Sequence, residues 1–479
     1  MPVPNPLREA LTQGRFSFVV ELVVSAFSRE ARLLELASYL ARVPGLVAGS
    51  ITNYAGGAPG HDPVRMGTAA RARGLEPNIH LTCVSQDRQG LRKTLEDLHA
   101  LGLENVFAMT GDYPKVPDRH PPPVFDLDSV QLVALIDELR RGGAPFFISV
   151  TVSPFKYQEA DCVYQYLKLE KKIAAGADYA ITQIGYDARK FRELMRYLKE
   201  RGLAIPVLGN VCLLNPRAAE KMARAEPPGC WVSPELLETV LAESRAKDSG
   251  LAARLERGAR MIAVLRGLGY AGVYLEGTHN PKHISWMIER AEALAPRWEE
   301  LAEELHYAPK DPFYLYESPP RAPRPRPIGP RLLDTMSRLV PLHRREGRLR
   351  RALRAFFAWT DRRPAVARAL ERVEFAIKSP AFGCRSCGNC VLSWMEYVCP
   401  QTCPKQMRNG PCGGTHDAGQ CEVVDQPCIW GAVYERAKRE GHLESLKGYI
   451  PPPDRRLQGT SSWINYFLDR DSRPGGTAG

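Results

Sequence analysis

The chain lacks the long apolar stretches that mark membrane and secreted proteins. No segment of its 479 residues approaches the run of about eighteen apolar residues that a transmembrane helix needs. The first residues, MPVPNPLREALTQGRF, contain no apolar run of the signal-peptide type. These absences predict a cytoplasmic protein with no membrane partner, and the length is enough for two or three domains.

The chain also lacks an even spread of positive charge. Its formal net charge is +11, yet residues 321–370 alone contain fourteen Arg, no Lys and three acidic residues, which accounts for the whole excess. The remainder is neutral overall. This distribution argues against a protein that coats nucleic acid, and we expect no nucleic-acid partner.

Short apolar, β-branched runs alternate with amphipathic stretches between residues 17 and 295. Such alternation predicts parallel strands joined by right-handed helical crossovers. Eight units over this length favour an α/β fold of the (β/α)8 TIM-barrel type over an open sheet. The helical stretch Ser233–Leu268 is an insertion that the pattern does not place. The predicted strands are Ser17–Val24, Leu46–Asn53, Pro77–Cys83, Asn105–Thr110, Pro145–Val152, Asp178–Ile184, Ile205–Val211 and Gly272–Glu276.

Polar residues stand at the carboxyl ends of several predicted strands, where the active sites of such barrels lie. They are Glu21, Thr52, His80, Asp112 and Gln183. An Asp after a Gly is often a turn or helix-cap residue, and a His or Gln at a strand end is often a hydrogen-bonded structural residue. A buried carboxylate such as Glu21 is costly unless it is paired or protonated. Their convergence on one face predicts a site.

Eight of the twelve cysteines lie between residues 384 and 428. Spacings of two residues let neighbouring thiolates converge on a metal, whereas a disulfide between them would be strained, so we predict metal binding. Two alternatives stay open: a 4Fe–4S cluster in a partly ferredoxin-like arrangement, or structural zinc. The predicted ligands are Cys384, Cys387, Cys390 and Cys399, with Cys403, Cys412, Cys421 and Cys428 as a second set of four.

Residues 15–295 resemble methylenetetrahydrofolate reductase, a flavin-dependent (β/α)8 enzyme. The resemblance rests on Glu21, Thr52, His80-Leu-Thr-Cys83, Gly111-Asp112 and the run Ala175–Gln183. It implies reduction of 5,10-methylenetetrahydrofolate to 5-methyltetrahydrofolate, with FAD as cofactor and FMN as the alternative. It also implies a homo-oligomer.

The resemblance implies a role for each matching residue. Glu21 would be the general acid that protonates the folate nitrogen as the five-membered ring opens. Asp112 would lie beside the flavin and the pterin, and Gln183 would hydrogen-bond the pterin edge. Thr52, His80 and Lys172 would contact the flavin and its phosphates. Met109-Thr110 stands where the family commonly has Leu-Arg, which removes a cation near the flavin and argues against NADH as direct donor.

The C-terminal part resembles the cysteine-rich domain associated with some bacterial methylenetetrahydrofolate reductases, which implies electron relay or assembly. We therefore predict a barrel at 1–307, a Pro/Arg-rich linker at 308–343, and an Arg-rich helical and cysteine-rich metal-binding domain at 344–479. The Arg-rich helix is predicted to align Leu349, Leu353, Phe356 and Phe357 on one stripe. It is either a solvated face packing on the barrel, a docking surface for an acidic electron-transfer protein such as ferredoxin, or an anchor for a polyglutamate tail.

Two other functions stay open at this stage. The same barrel could oxidise methyltetrahydrofolate in a demethylation pathway. A zinc-bearing binding protein with a silent barrel is the third interpretation, and the joint presence of Glu21, Asp112 and Gln183 argues against it.

Overall fold

The computed structural model describes residues 4–25, 28–53, 60–114, 122–319, 322, 348–416 and 419–471. Two compact units make up the chain: Met1–Ser318 with Pro411–Gln426, and Pro319–Gly410 with Pro427–Gly479. Most of the predicted linker at 308–343 lies outside the described residues, and the predicted domain boundaries stay a prediction.

Eight parallel strands close the barrel of the first unit, in the order in which they occur along the chain. The predicted TIM-barrel fold is therefore confirmed. The strands are β1 (Ser17–Leu22), β2 (Leu46–Ile51), β3 (Pro77–Thr82), β4 (Asn105–Met109), β5 (Phe147–Val152), β6 (Tyr179–Thr182), β7 (Val207–Cys212) and β8 (Gly272–Glu276).

Helices surround this barrel and bury their apolar faces against the strands. They are α1 (Pro6–Thr12), α2 (Glu30–Leu40), α3 (Pro63–Arg71), α4 (Arg88–Ala100), α5 (Ser129–Arg141), α6 (Glu159–Ala174), α7 (Ala188–Glu200), α8 (Pro216–Ala223), α9 (Pro234–Glu243), α10 (Leu251–Gly267), α11 (Pro281–Leu294) and α12 (Trp298–Glu304).

The barrel interior is plugged at its amino-terminal end. Leu7 and Leu11 of α1 pack against a cluster of inward-facing strand residues that includes Val19 and Phe107. The amide of Asn5, which caps α1, donates to Asn105 Oδ1 over 2.8 Å at the start of β4. With this end closed by apolar side chains, the polar strand ends are left at the opposite face.

The insertion between β7 and β8 is now placed. Helix α10 packs against β7, β8 and α11, so it is the outer helix of the seventh barrel unit. Helices α8 and α9 pack on each other in the connection that precedes it. The extra residues therefore lie after the carboxyl end of β7, beside the face where the site was predicted.

The second unit contains α13 (Arg348–Asp361), α14 (Pro364–Phe382), α15 (Ile429–Arg439) and α16 (Ser462–Phe467). Phe357 of α13 is buried against Ile464 and Phe467. Phe356 is 51% exposed, so the predicted stripe is only partly covered. The side chain of Leu349 lies outside the described residues. Within the described ranges, every helix is too short or too polar to cross a bilayer.

Candidate active site

A cavity of about 300 Å³ opens at the carboxyl ends of the barrel strands. This volume lies at the lower end of the range of small-molecule sites. Five of the predicted site residues line it together: Glu21, Thr52, His80, Asp112 and Gln183. The predicted convergence of these side chains is thus observed, while the role of each stays a prediction.

Two carboxyl groups face this cavity from adjacent strands. Glu21 is the penultimate residue of β1 and Glu276 is the last residue of β8, and the register pairs Val20 with Leu275 one residue earlier on each strand. Burial, and then the negative charge of Glu276, raise the pKa of Glu21 well above its ordinary value. Burial also raises the pKa of Glu276 to about 7. These shifts favour the protonated form of Glu21, which a proton donor requires.

Glu276 is a site residue that the sequence reasoning missed. Like Glu21, it is a carboxylate in an otherwise apolar strand, so the same signal could have identified it. Asn210 of β7 donates from Nδ2 to Glu276 Oε1 over 2.6 Å. The backbone of Asn210 is in turn fixed, because its N–H donates to Thr182 Oγ1 over 2.9 Å.

His80 and Thr52 form the side of the cavity that β2 and β3 provide. The Nε2 atom of His80 lies 2.8 Å from Ser50 Oγ and 3.2 Å from the hydroxyl of Tyr274. Burial lowers the pKa of His80 to about 3, so the ring is neutral. Thr52 Oγ1 accepts a hydrogen bond of 3.0 Å from the N–H of Val24 and so ties the end of β2 to the chain after β1.

Asp112 is positioned by the glycine that precedes it. Gly111 has φ +87°, and a Cβ atom there would lie 2.4 Å from Val84 Cγ2. Both the backbone conformation and the space therefore require glycine. Gln183 follows β6, and its Oε1 accepts from the N–H of Ile184 over 2.9 Å.

Lys172 is placed differently from the other predicted site residues. It lies on α6, is not among the residues that line the cavity, and donates from Nζ to the carbonyl of Thr151 over 2.6 Å. Burial lowers its pKa well below the ordinary value. Thr151 itself lines the cavity, so Lys172 is linked to the cavity wall through this residue of β5.

Two buried polar atoms of the cavity wall have no hydrogen-bond partner within the described residues, Thr82 Oγ1 and Asn210 Oδ1. An unsatisfied buried polar atom costs about 1–3 kcal/mol. A ligand with polar edges would remove that cost, as the pterin of a folate or the ring of a flavin could.

Residues 411–416, here called the docked segment, belong to the barrel unit although they fall in the cysteine-rich part of the sequence. Two buried lysines hold the segment. Lys156 donates to the carbonyl of Thr415 over 2.7 Å, and Lys168 donates to the carbonyl of Pro411 over 2.8 Å. The segment also approaches Gly229, in the loop whose residues Pro227, Pro228 and Cys230 line the cavity.

The cysteines divide into groups with different surroundings. Cys384, Cys387, Cys390 and Cys399 line one cavity of the second unit. Burial raises the pKa of Cys399 to about 12, and the three neighbouring thiols act in the same direction. Cys412 and Cys421 belong to the first unit, where Cys412 Sγ lies 3.4 Å from Glu422 Oε1.

None of the twelve cysteines forms a disulfide. Across the described ranges, no three His, Cys, Asp or Glu side chains are arranged to hold a single metal ion. The prediction of a metal at these cysteines is therefore not supported by the arrangement of their thiols.

Two family models match the chain. The model "Methylenetetrahydrofolate reductase" matches residues 7–263, and "Methylene-tetrahydrofolate reductase C terminal" matches residues 363–456. The first covers the barrel strands up to β7 together with Glu21, Asp112 and Gln183. The second begins at α14 and includes all eight clustered cysteines.

Individual relatives carry the same name. The 5,10-methylenetetrahydrofolate reductase of Salmonella typhimurium is 32% identical over 152 residues, which are 31% of this chain and 48% of that protein. A probable methylenetetrahydrofolate reductase (NADPH) of Caenorhabditis elegans is 27% identical over 29% of this chain and 20% of its own length. The chain thus spans at most about half of these relatives.

A solved Clostridium thermocellum protein that binds two copies of 5-methyl-5,6,7,8-tetrahydrofolic acid has a TM-score of 0.43 and 10% identity, over 61% of this chain and 99% of that one. This similarity is too low to bear on function.

Proposed function

The chain belongs to the methylenetetrahydrofolate reductase family, and on that premise we propose that it reduces 5,10-methylenetetrahydrofolate to 5-methyltetrahydrofolate in the barrel cavity. The observation that carries the proposal is the position of Glu21 near the carboxyl end of β1, in one cavity with Asp112 and Gln183, where burial raises the pKa of its carboxyl.

The role of Glu21 follows from its proton. Opening the five-membered ring of the folate breaks a carbon–nitrogen bond, and the departing nitrogen needs a proton at neutral pH. Burial keeps Glu21 protonated until a stronger base approaches, which suits general acid catalysis. Asp112 would stabilise the cationic iminium that remains, and the Gln183 amide, which has both a donor and an acceptor, would orient the pterin.

The flavin, taken to be FAD with FMN as the alternative, would be held at the β2–β4 side of the cavity by Thr52, His80 and Asp112. When bound, it supplies the hydride that reduces the iminium carbon. Neutral His80 offers a hydrogen bond without adding a charge beside the ring. Lys172 would act from behind β5, through Thr151.

The four thiols of Cys384, Cys387, Cys390 and Cys399 line one cavity of the second unit. We propose that they would hold a 4Fe–4S cluster, with structural zinc as the alternative. Such a cluster would relay electrons to the flavin.

We propose that an acidic electron-transfer protein such as ferredoxin binds the Arg-rich helices of the second unit. Phe375 of α14 lines the cavity and is 40% exposed, and Phe356 and Trp359 of α13 are exposed as well. The arginines of residues 348–372 surround these aromatic side chains in sequence. Exposed aromatic residues among arginines are typical of protein-binding surfaces.

One anaerobic preparation tests the proposal. We expect a yellow protein that converts methylenetetrahydrofolate to methyltetrahydrofolate when the flavin is reduced. Glu21→Gln should lower turnover by about 10²–10⁴-fold, because the amide cannot give up a proton, while flavin remains bound. Glu289→Gln, a surface change on α11, is the matched control. Full turnover by Glu21→Gln would contradict the acid role, and failure of the wild-type protein to bind flavin would contradict the enzyme itself.

The metal is measured on the same preparation. We expect iron and sulfide in cluster proportion, lost in Cys387→Ser, and faster flavin reduction by ferredoxin than by NADH. Zinc without iron, or undiminished iron in the variant, would refute the relay. Assaying methyltetrahydrofolate oxidation alongside reduction separates the two directions.

A further inference from the structure

Glu276 is the second carboxyl of the cavity, and the reaction proposed above gives it no role. It lies on β8, which pairs with β1 in parallel register, so it stands beside Glu21 at the rim of the same cavity. Its Oε1 accepts the 2.6 Å hydrogen bond from Asn210. Both carboxyl groups therefore project into one enclosed space from neighbouring strands.

We propose that Glu276 and Glu21 share one proton, and that Glu276 is the positioning residue that keeps this proton on Glu21 until the substrate takes it. This inference rests on the proposed function. The physical basis is that two neighbouring carboxyl groups in a poorly solvated site cannot easily both ionise. The first proton is lost readily, and the second is retained to a much higher pH.

The hydrogen bond from Asn210 decides which member ionises first. A donated N–H stabilises a carboxylate more than a carboxylic acid, so the charge of the pair belongs on Glu276 and the proton on Glu21. Asn210 is fixed in turn by Thr182. At the other end, His279 Nε2 lies 2.7 Å from the backbone carbonyl of Glu21 and contacts the main chain, which leaves the carboxyl to the cavity.

The other titratable groups that face the pair do not carry a compensating positive charge. They are Cys212 on β7, Tyr274 on β8, Cys230 and Asp112 on loops, and His80 on β3. Burial raises the pKa of both thiols and of the phenol and lowers that of His80, so all four are neutral.

The proton balance of the step is simple. The O–H bond of Glu21 breaks, an N–H bond forms on the leaving folate nitrogen, and the carbon–nitrogen bond electrons go to that nitrogen. Both carboxylates are then charged beside the new iminium cation. After the iminium carbon has received its hydride, the pair takes one proton from water and returns to its starting state.

The variant Glu276→Gln tests this arrangement. The amide keeps the shape and can still accept from Asn210, but it removes the like charge that holds the proton on Glu21. We expect the alkaline limb of the pH–rate profile to move to lower pH by about one unit or more, because interacting carboxyl groups shift each other's pKa by at least about that much. Glu276→Asp should keep the limb near its wild-type position, and Glu289→Gln should not move it.

A second readout does not depend on turnover. Infrared difference spectra of the wild-type holoenzyme across neutral pH should show a protonated carboxylic acid, and Glu276→Gln should shift the pH at which it ionises. No protonated carboxyl near neutral pH in the wild-type protein would overturn the inference, as would an unmoved alkaline limb in Glu276→Gln. A wild-type protein inactive on methylenetetrahydrofolate that still shows the acid would instead overturn the proposed function alone.

Discussion

The contact between Gly229 and the docked segment gives a sharp test of how that segment is held within the barrel unit. A Cβ atom on Gly229 would lie 2.5 Å from the carbonyl oxygen of Gly413 and 3.3 Å from its carbon. Gly229 also has φ +79°, where a side chain is strained. Gly229→Ala therefore combines backbone strain with a clash against backbone that has no flexible side chain to move aside.

The two costs can be separated with a matched control. Gly269 has φ +85° and open space around its missing Cβ, so Gly269→Ala has the strain without the clash. We expect Gly269→Ala to lose about 1–2 kcal/mol of unfolding free energy. Gly229→Ala should lose about 1–3 kcal/mol more from overpacking, for a total of about 2–5 kcal/mol.

Urea unfolding measures both losses, and hydrogen exchange shows where the structure yields. Only Gly229→Ala should speed exchange at residues 411–416, because the docked segment must retreat to make room. The loop that carries Pro227 and Pro228 lines the cavity, so folate affinity should fall in the same variant. Equal stability losses in the two variants, with no difference in exchange, would refute a close contact between this loop and the segment.

Two further predictions concern buried charge. Lys190 and Glu193 form an ion pair of 2.9 Å with side chains 0% and 4% exposed, so Lys190→Met should lower the free energy of unfolding in urea by about 3–5 kcal/mol, because it leaves a buried carboxylate without its ion-pair partner. Lys93 forms an exposed ion pair with Asp97, so the control Lys93→Met should change the stability little. Similar losses in the two variants would contradict a role for burial. His80 has a pKa lowered from 6.5 to about 3, so the unfolded chain binds the extra proton between these values. His80 alone should contribute a loss of about 1.4 kcal/mol of stability per unit of decreasing pH, opposite in sign to the contributions of Glu21 and Glu276, whose pKa values are raised. His80→Gln should remove this contribution, and the same dependence of stability on pH in wild type and variant would show that His80 is not buried in the neutral form.

The barrel could be predicted from sequence because its signal is local. Each buried strand is a short β-branched run, and the eight observed strands lie within or within one residue of the predicted ones, with Gly272–Glu276 matching at both ends. Glu21 could be found for the same reason, since a carboxylate in an apolar run stands out. Glu276 carried that signal too, but its position beside Glu21 depends on the pairing of β8 with β1, which a local sequence pattern does not predict.

The docked segment could not be predicted, for a different reason. It is held by Lys156 and Lys168, more than 240 residues earlier in the chain, and lysines in that stretch look like ordinary helix and loop residues. Backbone carbonyls accept both hydrogen bonds, so the side chains of the segment give no indication in the sequence that it binds these lysines. The exposure of Phe356 was not predictable either, because an apolar stripe does not show which of its residues a partner surface covers.

The carboxyl pair and the proposed reaction constrain each other through charge. With one shared proton the pair carries a single negative charge, and donating that proton would leave two charges side by side in a poorly solvated cavity. The iminium cation forms at the same moment and offsets one of them, so the second ionisation is favourable only while the cation exists. Once hydride removes the cation, the doubly charged pair must recover a proton. Proton uptake should therefore accompany reduction of the iminium carbon rather than ring opening, which a pH indicator in a single-turnover experiment can resolve.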